Sequence, residues 1–207
     1  MKNNNDVEIE VKFYVLSLKE IEQKILDLGG TLVQERCFES NLRFDTADGR
    51  LRNLHQVLRL RKDTENILTF KGAAEAGKLV SIRQEIEVLV DDYDTTRTLL
   101  EGLGYEVVMA YEKYRTTYSL LDTLVVLDEL PYGNFIEIEG PDGTSIQKVA
   151  RNLNLNWKAR VMTSYTYLYE NLRKVRPELE GMQLTFEELK GMRFMPDEMN
   201  VSPADLA

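Results

Sequence analysis

Acids and bases alternate with apolar residues along several short segments of the chain. Glu8, Glu10 and Lys12 alternate with Val7, Ile9, Val11 and Phe13. Arg59 and Arg61 alternate with Leu58 and Leu60, and Thr69 and Lys71 with Leu68 and Phe70. Arg83, Glu85 and Glu87 alternate with Ile82, Gln84, Ile86 and Val88. Lys113 and Arg115 flank Tyr114, Asp128 follows Val125 and Leu127, and Glu137 and Glu139 alternate with Ile136 and Ile138. The acids of these faces are Glu8, Glu10, Glu85, Glu87, Asp128, Glu137 and Glu139. The bases are Lys12, Arg59, Arg61, Lys71, Arg83, Lys113 and Arg115, equal in number to the acids. Bases suit a polyanion: Arg offers phosphate a flat fork of donors and Lys a point charge. Carboxylates suit a hard divalent cation. A metal–polyphosphate complex satisfies both sets at once.

A period of two is the signature of a β-strand, whose successive side chains point to opposite faces. Such strands can meet through their apolar faces and turn their charges to water. They can instead curl so that the charges line the inside and helices cover the apolar outside. The second arrangement crowds ions, which is costly unless they pair or bind counter-charged ligands. Helices are expected between the strands. Ser17-Leu18-Lys19-Glu20 has the form of a capping box, Ile21, Ile25 and Leu28 form a stripe, and Gly29-Gly30 stops it. A second helix is expected from near Asp94 to Gly104, and a third from Thr144 or Ser145 through Ile146, Val149, Ala150 and Leu153. Ser164 is expected to cap a fourth, with Tyr165, Tyr167 and Tyr169 covering the outside. Leu28-Gly29-Gly30-Thr31-Leu32-Val33 resembles Leu103-Gly104-Tyr105-Glu106-Val107-Val108, a hint of two similar halves. Residues 72–80 read as a small-residue hairpin loop able to gate an opening.

The Glu8-x-Glu10-x-Lys12 run resembles the E-x-E-x-K signature of the CYTH superfamily, the triphosphate tunnel metalloenzymes. Leu58-Arg59-Leu60-Arg61, Thr69-Phe70-Lys71-Gly72, Arg83-Gln84-Glu85, Lys113-Tyr114-Arg115, Leu127-Asp128 and Phe135-Ile136-Glu137-Ile138-Glu139 follow in the matching order. The resemblance implies an α+β fold: an eight-stranded antiparallel β-barrel forming a tunnel with a charged interior, covered outside by α-helices. It assigns residues 1–175 to the tunnel domain. Residues 176–207 lie outside the resemblance and read from composition as an acidic C-terminal extension, partly helical or disordered, in which Thr185-Phe186-Glu187-Glu188 could cap a short helix. It implies Mg²⁺ or Mn²⁺ as cofactor and Glu8, Glu10, Asp128, Glu137 and Glu139 as metal-side acids. Glu85 is a further candidate, and Glu87 is expected to pair with a cradle base. Lys12, Arg59, Arg61, Lys71, Arg83, Lys113 and Arg115 would hold the triphosphate, Arg83 having the alternative of pairing with a nearby carboxylate.

Composition agrees with a small anionic ligand. The 207 residues carry a net charge of −9, the reverse of the usual balance for a nucleic-acid binder. A single cysteine, Cys37, forbids an internal disulfide and reads as a packing residue. The start, Met1 to Asp6, has no apolar signal segment, and no stretch is long enough to span a membrane. The expectation is a cytoplasmic monomer or homodimer with no nucleic-acid or membrane partner. The only histidine, His55, sits in a turn-like stretch and reads as exposed. No Walker-type phosphate loop occurs.

The resemblance covers two reactions: hydrolysis of a triphosphate and cyclisation of ATP to cyclic AMP. Bacterial class IV adenylyl cyclases carry a His-Phe pair shortly before E-x-E-x-K. Here that stretch is Asn3-Asn4-Asn5-Asp6-Val7. The departure favours a metal-dependent triphosphatase acting on tripolyphosphate, thiamine triphosphate or a nucleotide. A cyclase is the first alternative and a non-catalytic polyphosphate-binding module the second. A second metal, or a metal-side carboxylate such as Glu8, is expected to activate water at the terminal phosphorus. Lys12 is an alternative base, its pKa lowered by crowding among cations. Phe38, Tyr111 and Tyr132 are candidates for an organic group's pocket at the tunnel mouth.

Overall fold

The computed structural model describes residues 7–206. The stretch before Val7, which bears on the His-Phe comparison, lies outside them. Eight antiparallel strands close into a barrel: β1 (Val7–Val15), β2 (Thr31–Thr46), β3 (Val57–Lys62), β4 (Asn66–Lys71), β5 (Ser81–Leu89), β6 (Tyr105–Leu120), β7 (Thr123–Leu130) and β8 (Gly133–Glu139). Their order is β5-β4-β3-β2-β6-β7-β8-β1, and β5 pairs back onto β1. Closure leaves no long free edge. On that closing seam Glu8 pairs with Arg83 and Glu10 with Ser81. A short ninth strand, β9 (Arg160–Val161), then pairs with β1 at Lys12 and Phe13.

The two halves match. Helix α1 (Leu18–Asp27) leads into the 16-residue β2, and α3 (Tyr93–Gly102) leads into the 16-residue β6. The two long strands pair with each other. Gly29 and Gly104 turn the chain after each helix at φ of 82° and 90°, where a Cβ would be strained. A four-residue helix, α2 (Arg50–Asn53), follows β2, and its first turn is capped by the Asp45 carboxylate.

The helix starts show how caps are chosen. Ser17 accepts from the Glu20 amide at α1. The cap of α3 is Asp92, two residues before the expected start. Asp142 caps α4 (Gly143–Asn152) rather than Thr144 or Ser145, accepting both of their amides at 2.7 and 2.9 Å. A carboxylate serves here as well as a hydroxyl and adds favourable charge at the helix N-terminus. Ser164 caps α5 (Tyr165–Val175) as expected.

The apolar strand faces point outward. Val11, Phe13, Val15, Val125, Leu127, Ile136 and Ile138 pack under Ile21 and Ile25 of α1 and Ile146, Val149, Ala150 and Leu153 of α4. Phe44, Leu58, Leu60 and Leu68 pack under Leu100 of α3. The third core is different. Tyr14, Met109, Tyr111, Leu130 and Phe135 pack with Tyr165, Leu168, Tyr169 and Leu172 of α5 and with Leu179, Leu184, Leu189 and Met199. Tyr14, Tyr111 and Phe135 share their strand faces with Lys12, Lys113 and Glu137, so this cluster closes one end of the barrel. The expectation that α5 covers the outside is corrected: it seals an end.

The segment after Arg176 is not loose. Leu184 accepts from the Glu112 amide at 2.9 Å and donates to Ala110 at 3.1 Å, covering the part of β6 that extends past β7. Thr185 begins a single turn rather than a helix. At the far end Asp205 accepts the Leu16 and Ser17 amides, and the Ala204 amide donates to Tyr14 O at 2.9 Å. Buried Leu and Met side chains anchor the tail without any regular period, which is why its polar composition reads as disorder.

Candidate active site

The period-two faces meet inside the barrel. An unbroken run of ion pairs crosses the interior. Lys71 lies between Glu85 at 3.0 Å and Glu8 at 2.7 Å. Arg83 joins Glu8 at 3.4 Å to Glu10 at 3.6 Å. Lys12 contacts Glu10 and reaches Glu137 at 3.5 Å. Arg115 joins Glu137 at 3.2 Å to Asp128 at 2.6 Å. Lys113 joins Asp128 at 3.3 Å to Glu39 at 3.4 Å. Arg59 lies 3.7 Å from Glu87, which also accepts from Thr69. Desolvating so many ions can cost more than their pairing returns, a cost that a bound anion with its cation would offset.

Glu8, Glu10 and Glu137 bring carboxylate oxygens within 4.8 Å of one another. Burial and the neighbouring Glu137 push the Glu10 carboxyl up to about 8 against the pull of Lys12. Burial also raises Glu8, but Lys71 and Lys12 outweigh it and hold the group down at about 2. Glu137 is held well below the usual carboxylate range, its burial overcome by Lys12, a hydrogen bond from Glu10 and Arg115. Crowding of these carboxylates disfavours ionising Glu10 and Glu137 together. Burial pushes Glu85 up to about 7 despite Lys71.

The structure separates the expected metal-side acids. Glu8, Glu10 and Glu137 cluster. Asp128 stands apart, bound by Arg115 and Lys113 and accepting from the Tyr165 hydroxyl at 2.9 Å. Glu139 pairs in register with Glu10 across β1 and β8. Lys12 corrects the expectation of a lowered pKa. Burial lowers it, yet Glu10, Glu137 and Glu8 raise it further, so the ammonium keeps its proton. Its neighbours are carboxylates, not cations.

The aromatic candidates for a mouth pocket are also corrected. Phe38 lies on the outer face against Tyr114. Tyr132 is buried in the end cluster and donates to Tyr165 O at 2.9 Å. Tyr111 is buried beside Arg59 at 3.5 Å. The hairpin loop is tied at its second half, where Val80 is buried and Leu79 O accepts from Arg160. His55 is exposed, at a φ of 56°.

Four interior residues escaped the sequence reading. Glu39, Asn41 and Arg43 alternate with Phe38, Leu42 and Phe44 along β2, the same signal as on the other strands. Tyr165 enters from α5, with Lys12 and Lys113 at 5.6 and 5.5 Å from its ring centre. Among the described residues, the buried side-chain polar atoms without a hydrogen-bond partner are Glu39 Oε2, Asn41 Oδ1, Arg59 Nε and Arg61 Nε. All four lie on the paired strands β2 and β3, where Asn41 faces Arg61 in register. Arg61 Nε lies 3.2 Å from Asp63 Oδ2 without hydrogen-bond geometry.

Comparison with known proteins agrees with this geometry. A protein of Methanocaldococcus jannaschii, provisionally named an adenylate cyclase, is 27% identical over 135 residues, 64% of this chain and 76% of the relative. A solved structure from Vibrio parahaemolyticus, also provisionally named an adenylate cyclase, superposes with a TM-score of 0.69 at 22% identity, covering 80% of this chain and 98% of the other. Another, from Hippeastrum, is described as a provisional adenylyl cyclase with a dominant triphosphatase activity. It superposes with a TM-score of 0.62 at 19% identity, covering 79% of this chain and 95% of the other. The family model described as the CYTH domain matches residues 6–161, most of the chain. The chain belongs to the CYTH family.

Proposed function

We propose that the protein is a divalent-metal-dependent hydrolase of a short triphosphate, releasing orthophosphate. The observation that carries this reading is the pairing, inside one barrel, of a three-carboxylate group with buried arginine nitrogens lacking hydrogen-bond partners. The residues fit a divalent cation, because three carboxylates converge with oxygens within 4.8 Å of one another, the hard oxygen donors such an ion prefers. Glu8, Glu10 and Glu137 would hold Mg²⁺ or Mn²⁺, which would neutralise phosphate oxygens and make the phosphorus more electrophilic. Arg59 and Arg61 bind the chain of phosphates through their guanidinium N–H groups. Lys71, Arg83, Lys113 and Arg115 bear on it from the other walls, and Lys12 stays charged beside the carboxylates. Asp128 and Tyr165 orient Arg115 and Lys113 rather than touching the ligand. Phosphoryl transfer asks chiefly for this positioning and charge balance.

The placement of aromatic side chains favours hydrolysis over cyclisation. Tyr14, Tyr111, Phe135 and Tyr165, the aromatics that border the interior from the end cluster, are all buried, Tyr111 against Arg59 and Tyr165 against Asp128, which leaves them unable to stack on a nucleobase. A class IV adenylyl cyclase remains the second reading, supported by the name of the Methanocaldococcus jannaschii relative. The test is a panel with purified protein and Mg²⁺ or Mn²⁺, offering tripolyphosphate, thiamine triphosphate and ATP. Orthophosphate without cyclic AMP supports the hydrolase. Cyclic AMP with pyrophosphate replaces it by the cyclase. Tight binding with no turnover replaces both by a binding module.

A further inference from the structure

Tyr165 stands where the metal-side carboxylates meet the phosphate cradle. Its hydroxyl donates to Asp128 Oδ2 at 2.9 Å and lies 3.4 Å from Glu137 Oε2. Arg115 Nη2 contacts the same two oxygens, at 2.6 and 3.2 Å. Arg115 Nε donates to Asp128 Oδ1 at 2.7 Å, and Lys113 lies 3.3 Å from Oδ2. These bonds engage Nε and Nη2 and leave Nη1 of Arg115 for a phosphate. The Arg115 side chain is 18% exposed, so a ligand in the barrel can reach it. Asp128 is 0% exposed, so water does not reach it.

Tyr165 does not belong to the barrel. It opens α5, the helix that seals one end. Ser164 caps that first turn, Tyr132 donates to Tyr165 O at 2.9 Å, and Thr166 accepts from Arg43 of β2. Leu168, Tyr169 and Leu172 then pack with Leu179 and Leu184 of the tail. The place of one hydroxyl thus depends on the C-terminal segment.

We propose that the C-terminal segment completes the phosphate site and that Tyr165 is the positioning residue through which it acts. This rests on the phosphate cradle of the hydrolase reading. A phenol keeps its proton at neutral pH, and an ionised carboxylate only accepts. Asp128 is therefore shared by two cations and one neutral donor. A bound phosphate competes for the cations, whose hydrogen bonds to it are charge-assisted, and leaves the hydroxyl in place. Without the hydroxyl, Asp128 is left to Arg115 and Lys113 alone. Both are drawn toward it and offer less to the phosphate.

The test compares Tyr165→Phe with Tyr169→Phe in the full chain. Tyr169 sits one turn further along α5 in the same end cluster, but its hydroxyl donates to Met182 O and Gln183 O of the tail. The readouts are steady-state hydrolysis of tripolyphosphate with Mg²⁺ and calorimetric binding of tripolyphosphate in EDTA, where turnover does not interfere. Tyr165→Phe is expected to raise KM about tenfold with kcat near the wild-type value, and to weaken binding by a similar factor, the loss of one hydrogen bond to a charged group. Tyr169→Phe is expected to change neither. An equal effect of both variants would make Tyr165 a packing residue and overturn the proposal. A wild-type KM in Tyr165→Phe would overturn it too, as would a fall in kcat with KM kept, which would place the hydroxyl in the chemistry. Binding that Tyr165→Phe alone weakens, in a protein that hydrolyses no triphosphate, would overturn the hydrolase reading and support this proposal. A wild-type protein that binds no triphosphate would overturn both.

Discussion

Glu10 is a fully buried carboxyl held far from its ordinary state. Its carboxyl is raised to about 8, so the metal-free native state holds a proton that the unfolded chain releases above about 4.5. Stability from this group is fully present below that lower value and is lost as pH rises toward 8. Glu85, raised to about 7, acts in the same direction. Glu8, lowered to about 2, loses its contribution only in strong acid. The melting temperature of metal-free protein is therefore expected to fall between pH 5 and pH 8, and Glu10→Gln to flatten the slope. A flat wild-type profile would contradict the assigned proton. Metal binding must displace that proton, so affinity should rise over the same window. Arg61 acts on the other wall. Arg61→Ala is expected to raise KM for tripolyphosphate about tenfold, the loss of one charged hydrogen bond worth about 1.5 kcal/mol. An unchanged KM would remove it from the cradle.

At the scale of elements, the strands carry charge and the helices carry closure. The seven strands read from sequence each show charged residues at alternate positions, although Val126 on β7 and Gln84 on β5 interrupt the contrast between the faces. The β2 strand obeys the same rule, but Ser40 on its outer face and the polar Asn41 inside blur the contrast, and it went unread. The α5 tyrosines could not be sorted by spacing alone. Tyr165 and Tyr169, four apart, are buried, while Tyr167 between them is 47% exposed. The tail was less legible still. Leu179, Leu184, Leu189 and Met199 are buried at intervals that match neither a helix nor a strand. Its packing makes a concrete prediction. Leu184→Ala should cost about 2–5 kcal/mol, the usual loss for a buried leucine. Denaturant unfolding followed by circular dichroism would measure it, and a change below about 0.5 kcal/mol would show the tail to be dispensable for the end cluster.

At the scale of the whole molecule, a chain of net charge −9 gathers one set of its bases inside a barrel. The barrel lets acids and bases alternate around one interior, sealed at one end by α5 and the tail. The family pattern made the barrel and the two sets of charges readable from the residues. Which ions are neighbours was not readable, because that depends on strand register and stagger. Lys12 among carboxylates and Asp128 among bases are the outcomes of that register. The central claim is metal-dependent turnover inside this barrel. The measurement that tests it most directly is orthophosphate release from tripolyphosphate by wild-type protein and by Glu10→Gln, with Mg²⁺ or Mn²⁺ and after chelation. Release that chelation abolishes, and that Glu10→Gln lacks while keeping the wild-type circular dichroism spectrum, is the predicted result. Equal release by the folded variant, or none by the wild type, would contradict the account.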